Sequence, residues 1–227
     1  MAIHQSSKRD MSLVHPIKCG FGYAFLIESV QGLFLIDSGS PGQENRVLAK
    51  MGALGRSDLK LIWITHAHYD HYGSASALRK NTGALIGIHQ KEVDFISKGR
   101  SPIGTTRSYG FIYLFAQNIL MRAGPLDRTC PDFSCEDGES LSEFGLDAVI
   151  LHTPGHTPGH TCVILEKDIA FCGDLLGGFP KLGLQSFLAT NWEQLPKSLK
   201  KLRLSRPKYL YLGHKPQPVP GCALENI

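Results

Sequence analysis

Two short apolar runs, residues 23–28 (YAFLIE) and 33–37 (LFLID), stand either side of a polar break at residues 29–32. Runs of that length, so closely spaced, predict an antiparallel hairpin. A turn follows at residues 38–42 (SGSPG), and then Val47, Leu48, Met51 and Leu54 recur at the spacing of one helical stripe, predicting a helix over 43–54. Residues 59–65 (LKLIWIT) form a nearly continuous apolar run of the buried-strand type, 71–81 reads as a helix and 84–88 as a further strand. Strands alternating with helices imply helices packed on a sheet.

The alternation stops between residues 92 and 125, which predicts a helical insertion. Its apolar stretch, 111–121 (FIYLFAQNILM), is broken by Gln117 and Asn118 and is shorter than the roughly 18 residues of a membrane span. The stretch reads either as core or as a lid, a substrate wall or a homodimer surface, with Phe111, Tyr113 and Phe115 as the candidate wall. Beyond it, strands are predicted at 140–144, 146–152, 161–166 and 169–172, a helix at 192–204 and a last strand at 209–212. The two halves share one grammar of strands followed by a helix. Residues 1–227 are therefore expected to form a single α+β domain, a four-layer αββα sandwich with the insertion at 92–125.

Composition narrows the function. Among the 227 residues, 42% are hydrophobic and 19% charged, which excludes a disordered or fibrous chain. The net charge of +4 is too small to point to nucleic acid. Residues 197–208 carry six basic side chains, a run that ordinarily forms a solvated helix face. The six cysteines contain no CxxC pair and read as reduced thiols packed as small hydrophobes. The opening MAIHQSSKRD has no apolar core of a secretory signal, so a soluble, cytoplasmic protein without membrane contact is expected.

The histidines change the picture. Of ten, six stand in two groups, His66, His68 and His71, then His152, His156 and His160, while His214 stands near the end. In THAHYDH (residues 65–71) the chain leaves a strand, and His66 and His68, two apart, share a face in extended geometry. With Asp70 and His71 they supply four potential ligands in six residues, enough for two metal ions. In LHTPGHTPGH (residues 151–160) proline and glycine forbid a helix. His152 ends one strand and His160 begins the next, which makes His156, at the loop apex, the natural ligand and leaves the other two to hydrogen bonds behind it. Two weaker signals repeat the strand-end design, Asp174 in CGD and His214 in LGH.

Together these segments resemble the metallo-β-lactamase superfamily. THAHYDH looks like its HxHxDH motif, TPGHT, GD and LGH look like its later motifs, and FLIDSG (residues 34–39) like its early strand and turn. The resemblance spans about residues 23–214 and implies a metallo-β-lactamase-like fold. It further implies that His66, His68 and His156 hold one metal, that Asp70, His71 and His214 hold a second, that Asp174 bridges both, and that Asp37 is structural. The expected cofactor is a pair of divalent ions, zinc ahead of iron or manganese. They would activate a shared water for attack on a small-molecule substrate, with Asp70 as the catalytic carboxylate that orients it and carries its proton.

Asp174 narrows the resemblance. Class B β-lactamases carry Cys or Ser at that place, whereas thioesterases of the glyoxalase II type, lactonases and RNA-processing nucleases carry a carboxylate. The chain ends 13 residues beyond His214, without the helical domain that binds glutathione in glyoxalase II-like enzymes. The leading expectation is a di-metal hydrolase of a small ester, thioester or lactone. The alternatives are a phosphodiesterase or RNA-processing nuclease, a weak β-lactamase, a mono-iron enzyme like the persulfide dioxygenases, and a metal-holding binding module without turnover.

Overall fold

A computed structural model describes residues 12–107, 128–178 and 181–227. The strands of its first sheet are β1 (Leu13–Cys19), β2 (Gly22–Ser29), β3 (Gly32–Ile36), β4 (Leu59–Ile64) and β5 (Leu85–His89), then, after the short β6 (Thr105–Thr106), β7 (Phe133–Cys135). They lie in the order β1-β2-β3-β4-β5-β7, antiparallel up to β3 and parallel beyond it. The second sheet comprises β8 (Ala148–His152), β9 (Thr161–Leu165) and β10 (Ile169–Phe171). After the short β11 (Leu176–Gly177), β12 (Gly183–Leu184) and β13 (Leu188–Ala189), it is completed by β14 (Tyr209–Tyr211) and β15 (Val219–Pro220).

Alternation along the strands builds three cores. On β2 and β3, Ala24, Leu26, Leu33 and Leu35 face outward and pack with Val47 and Met51 of helix α1 (Glu44–Ala53). Phe25, Ile27, Phe34 and Ile36 face inward and meet Ile150, Val163, Leu165 and Phe171 of the second sheet. The far face of that sheet, Cys162, Ala170 and Leu210, packs on Leu195, Leu199 and Leu202 of one helix, residues Gln194–Leu204. Helix, sheet, sheet, helix is the expected αββα order. Each inter-sheet aromatic, such as the fully buried Trp63, removes a large apolar area from water, worth about 2–3 kcal/mol apiece.

Several local expectations are corrected. The helix expected over 71–81 is two, α2 (Tyr69–Tyr72) and α3 (Ala75–Thr82), because the chain bends at Gly73 and Ser74, whose hydroxyl bonds the Ser40 carbonyl at 2.7 Å. The strand expected at 140–144 is a 3₁₀ turn at Ser142–Phe144 with a single bridge from Ser140 to Val149, since the Ser140 hydroxyl caps Ser142 N and Gly145 closes the turn at φ 91°. Strand β1 was not anticipated. Pro16 interrupts its pattern, yet among the described residues β1 pairs only with β2, and proline is tolerated on such an edge. Of the helical insertion expected at 92–125, the described start holds helix α4 (Val93–Ser97) and then β6, and the rest lies outside the described residues. The helix at Gln194–Leu204 is α5. Four of the six cysteines, Cys19, Cys135, Cys162 and Cys172, are buried free thiols, as the packing reading expects.

Candidate metal centre

Strand ends bring the candidate residues to one edge of the sandwich. His66 and His68 lie just beyond β4, Asp37 just beyond β3, Asp174 beyond β10 and His214 beyond β14, while His156 sits in the loop joining β8 to β9. Asp37 takes the left-handed conformation at φ 58°, uncommon for a residue with a side chain. The cost is offset by its bonds: Thr65 N donates to Oδ1 at 2.8 Å, the Thr65 hydroxyl to Oδ2 at 2.9 Å, and His71 Nδ1 to Oδ2 at 2.8 Å.

Three ring nitrogens meet at one point. His66 Nε2 lies 3.0 Å from His68 Nδ1, and His156 Nε2 lies 3.2 Å and 2.9 Å from the same two atoms. In each ring the other nitrogen faces an acceptor. His66 Nδ1 is 3.0 Å from the Thr65 hydroxyl, His68 Nε2 is 3.3 Å from the Pro102 carbonyl and His156 Nδ1 is 2.8 Å from the Leu188 carbonyl. Those acceptors fix the proton on the outer nitrogens and leave three lone pairs pointing inward. Lone pairs do not bond one another. A tetrahedral cation with Zn–N bonds near 2.0–2.1 Å would hold its ligand nitrogens about 3.3 Å apart, close to the spacing here. Burial keeps the three rings neutral, with His66 held well below the usual histidine value, His68 pushed to about 4 and His156 to about 3.

Beside this trio lie Asp70, His71 and His214, whose ligand atoms also converge. Both Asp70 oxygens, His71 Nε2 and Asp174 Oδ1 are buried and, among the described residues, have no hydrogen-bond partner. Orphaned carboxylate oxygens inside a protein are expensive, and a cation relieves that cost. Asp174 stands between the two groups. Its Oδ2 is 3.1 Å from His214 Nε2 and 3.6 Å from His156 Nε2, and its Oδ1 is 3.4 Å from His71 Nε2. Burial alone would raise the Asp174 value, but the neighbouring His214 and His71 bring it well below the usual carboxylate range. Asp174 in turn raises His214 to about 9, and for His71 it outweighs burial together with Asp37. His214 Nδ1 lies 3.2 Å from the Phe21 carbonyl, the same anchoring seen in the trio. A side chain at Gly213 would put Cβ 2.6 Å from Asp174 Oδ1 and 2.8 Å from His71, so only glycine leaves this cradle open. The donor set of imidazoles and carboxylates without thiolate fits a pair of zinc-like cations.

All seven residues expected as ligands are thus brought together. His152 and His160 stand behind them. His152 Nε2 is 3.0 Å from the Pro158 carbonyl, and His160 Nε2 accepts from Asp174 N at 3.1 Å. Phe111, Tyr113 and Phe115 lie outside the described residues. The sequence reading did not single out Thr65, Glu92 or the carbonyls of Phe21, Pro102 and Leu188. Thr65 had a signal, being fused to the histidine motif, whereas a backbone acceptor leaves none in the residue string.

The fold and this centre are those of one class. The family model of the Metallo-beta-lactamase superfamily matches residues 17–214, and the chain belongs to that superfamily. Among curated relatives, hydroxyacylglutathione hydrolase GloC of Haemophilus influenzae is 31% identical over 189 residues, covering 79% of this chain and 78% of its own length. The probable polyketide biosynthesis zinc-dependent hydrolase PksB of Bacillus subtilis is 24% identical over 221 residues, 94% of this chain and 84% of its own. Among solved structures, the B3 metallo-beta-lactamase BLEG-1 superposes with a TM-score of 0.74 at 20% identity, covering 95% of this chain and 97% of that one. A metallo-beta-lactamase family protein of Thermus thermophilus, TTHA1429, gives 0.67 at 23% identity, covering 95% and 77%. At those identities the structural likeness speaks to the fold alone. No helix among the described residues is long and apolar enough to cross a membrane.

Proposed function

We propose that the protein is a di-metal hydrolase of small ester, thioester or lactone bonds. One observation carries the reading: the Asp174 carboxylate lies between two candidate ligand groups, and beside it the buried oxygens of Asp70 have no hydrogen-bond partner among the described residues, with His214 Nε2 3.7 Å from Oδ2. His66, His68 and His156 would hold one ion, Asp70, His71 and His214 the other, and Asp174 both, with zinc favoured over iron or manganese. Bound there, such ions supply Lewis acidity, lowering the pKa of water towards about 7 and polarising the substrate's scissile carbonyl. The chain's own contribution is orientation and proton handling. Carbonyl anchors hold the rings of His68, His156 and His214 so that no reorganisation is needed on substrate binding. Asp70, buried at the centre, is the carboxylate that aligns the attacking water and returns its proton to the leaving group.

Two relatives support the class, one named as a hydrolase of hydroxyacylglutathione and one as zinc-dependent. A small-molecule substrate is favoured over nucleic acid because three of the basic residues at 197–208 are already engaged. Lys201 bonds Asp137 and the His152 carbonyl, Arg203 bonds the carbonyls of Leu224 and Ile227, and Lys208 bonds Asp168.

The test is metal analysis of the purified protein joined to a panel of p-nitrophenyl ester, thioester, lactone and bis-p-nitrophenyl phosphate. The expected result is about two metal ions per chain and ester-type turnover well above phosphodiester turnover. Preference for the phosphodiester would overturn the bond class, and metal-replete protein inactive on every substrate would overturn the hydrolase reading itself.

A further inference from the structure

Glu92 is a carboxylate with no exposure to solvent, and among the described residues it is paired with no lysine or arginine. A buried carboxylate without a countercharge is stable only if its oxygens are hydrogen-bonded. Both are bonded to backbone: Ala67 N donates to Oε2 at 3.0 Å and Gly159 N to Oε1 at 2.5 Å. Burial raises its pKa, and the nearby Thr157 hydroxyl and these two donors act in the opposite direction.

The two backbone donors are far apart in sequence and belong to the two ligand loops. Ala67 lies between His66 and His68. Gly159 closes the loop that carries His156 and precedes His160, the ring that accepts from Asp174 N. The fit is close. A Cβ on Gly159 would stand 2.6 Å from Glu92 Cγ and 3.0 Å from His89 Nδ1, so the loop is seated directly on the carboxylate. Glu92 is itself held in a 3₁₀ turn at Gln90–Glu92, where His89 Nδ1 accepts from Lys91 N at 3.1 Å.

We infer that Glu92 is a positioning residue of the metal centre, its one carboxylate tying the THAH turn to the TPGH loop so that His66, His68 and His156 meet at one point. The inference rests on the metallo-hydrolase reading of that centre. Glu92 bonds to no ligand side chain and acts through the backbone of both loops. Glu92→Gln separates this role from general stability, because the amide keeps the volume but sets a donor against one of the two N–H groups.

The experiment uses the full chain, metal-free and zinc-loaded. It reads zinc affinity by competition with a chromophoric chelator, and the melting temperature of both forms. Glu92→Gln should weaken zinc binding by about 10- to 100-fold and shrink the rise in melting temperature on zinc loading. Asp132→Asn, which perturbs a carboxylate bonded to Ile86 N at 2.8 Å, away from both ligand loops, should leave zinc competition unchanged. Zinc competition equal to wild type, with both forms equally destabilised, would make Glu92 merely structural and overturn the inference. Wild-type protein that fails to bind zinc would instead overturn the reading of the centre. Should Glu92→Gln not fold, Gly159→Ala displaces the same contact from the loop side and is read identically. Failure of both to fold also counts against a positioning role.

Discussion

The two ligand groups differ in enclosure. His66, His68 and His156 are all buried, at most 4% exposed, and each has its outer nitrogen engaged. In the second group Asp70 and His71 are equally buried, but the His214 side chain is 46% exposed. The first position is therefore a closed pocket made from two mutually tied loops, and the second is open on one side. On the two-ion reading proposed above, water and substrate would enter from the His214 side, and an ion at the second position would exchange more readily than one at the first.

The largest test of that contrast is His156→Ala. It removes the side chain that completes the trio, and turnover should fall by about a thousandfold or more, with the first ion lost in metal analysis. The effect should not be reproduced by His152→Ala, whose ring only meets the Pro158 carbonyl and stacks on His89 at 4.1 Å. Next in size is Asp37→Asn. Asparagine tolerates the left-handed backbone at this position but offers one acceptor where Thr65 and His71 now use two. Both positions should weaken together, by about 10- to 100-fold in metal affinity by chelator competition, which erases the contrast. The smallest effect is expected of His214→Ala. Water can replace an exposed ligand, so the second ion should weaken by about tenfold while the first stays at full occupancy, as metal stoichiometry across a dialysis series would report. If both ions left together, the two positions would not be independent in the way their burial implies.

Much of the centre was legible because its residue types are dense and chemically specific. Four potential ligands in six residues after an apolar strand have little other use, and proline and glycine around His156 made it the apex of a loop. Asp174 and His214 were weak signals alone, since a GD turn and a single histidine are ordinary; only their shared place at strand ends joined them to the motif. Glu92 was invisible. It stands where the alternation breaks off, and nothing in QKEVDF says that its oxygens face two backbone amides 25 and 67 positions away. The edge strand β1 was hidden by Pro16, and residues 140–144 read as a strand from their pattern, whereas local serine capping makes Ser142–Phe144 a turn.

The residue string by itself determined which atoms are available for chemistry and which faces of each strand seek the interior. Both follow from composition and a period of two along extended chain. Tertiary structure alone decided which nitrogen of each histidine points inward. That choice is made by the carbonyls of Phe21, Pro102 and Leu188, whose positions depend on how distant segments pack, and by the hydroxyl of Thr65, next to His66 in the chain but held by Asp37 28 positions away. A lone pair is aimed by its neighbour across space, and pairing in space is information that only the folded chain contains.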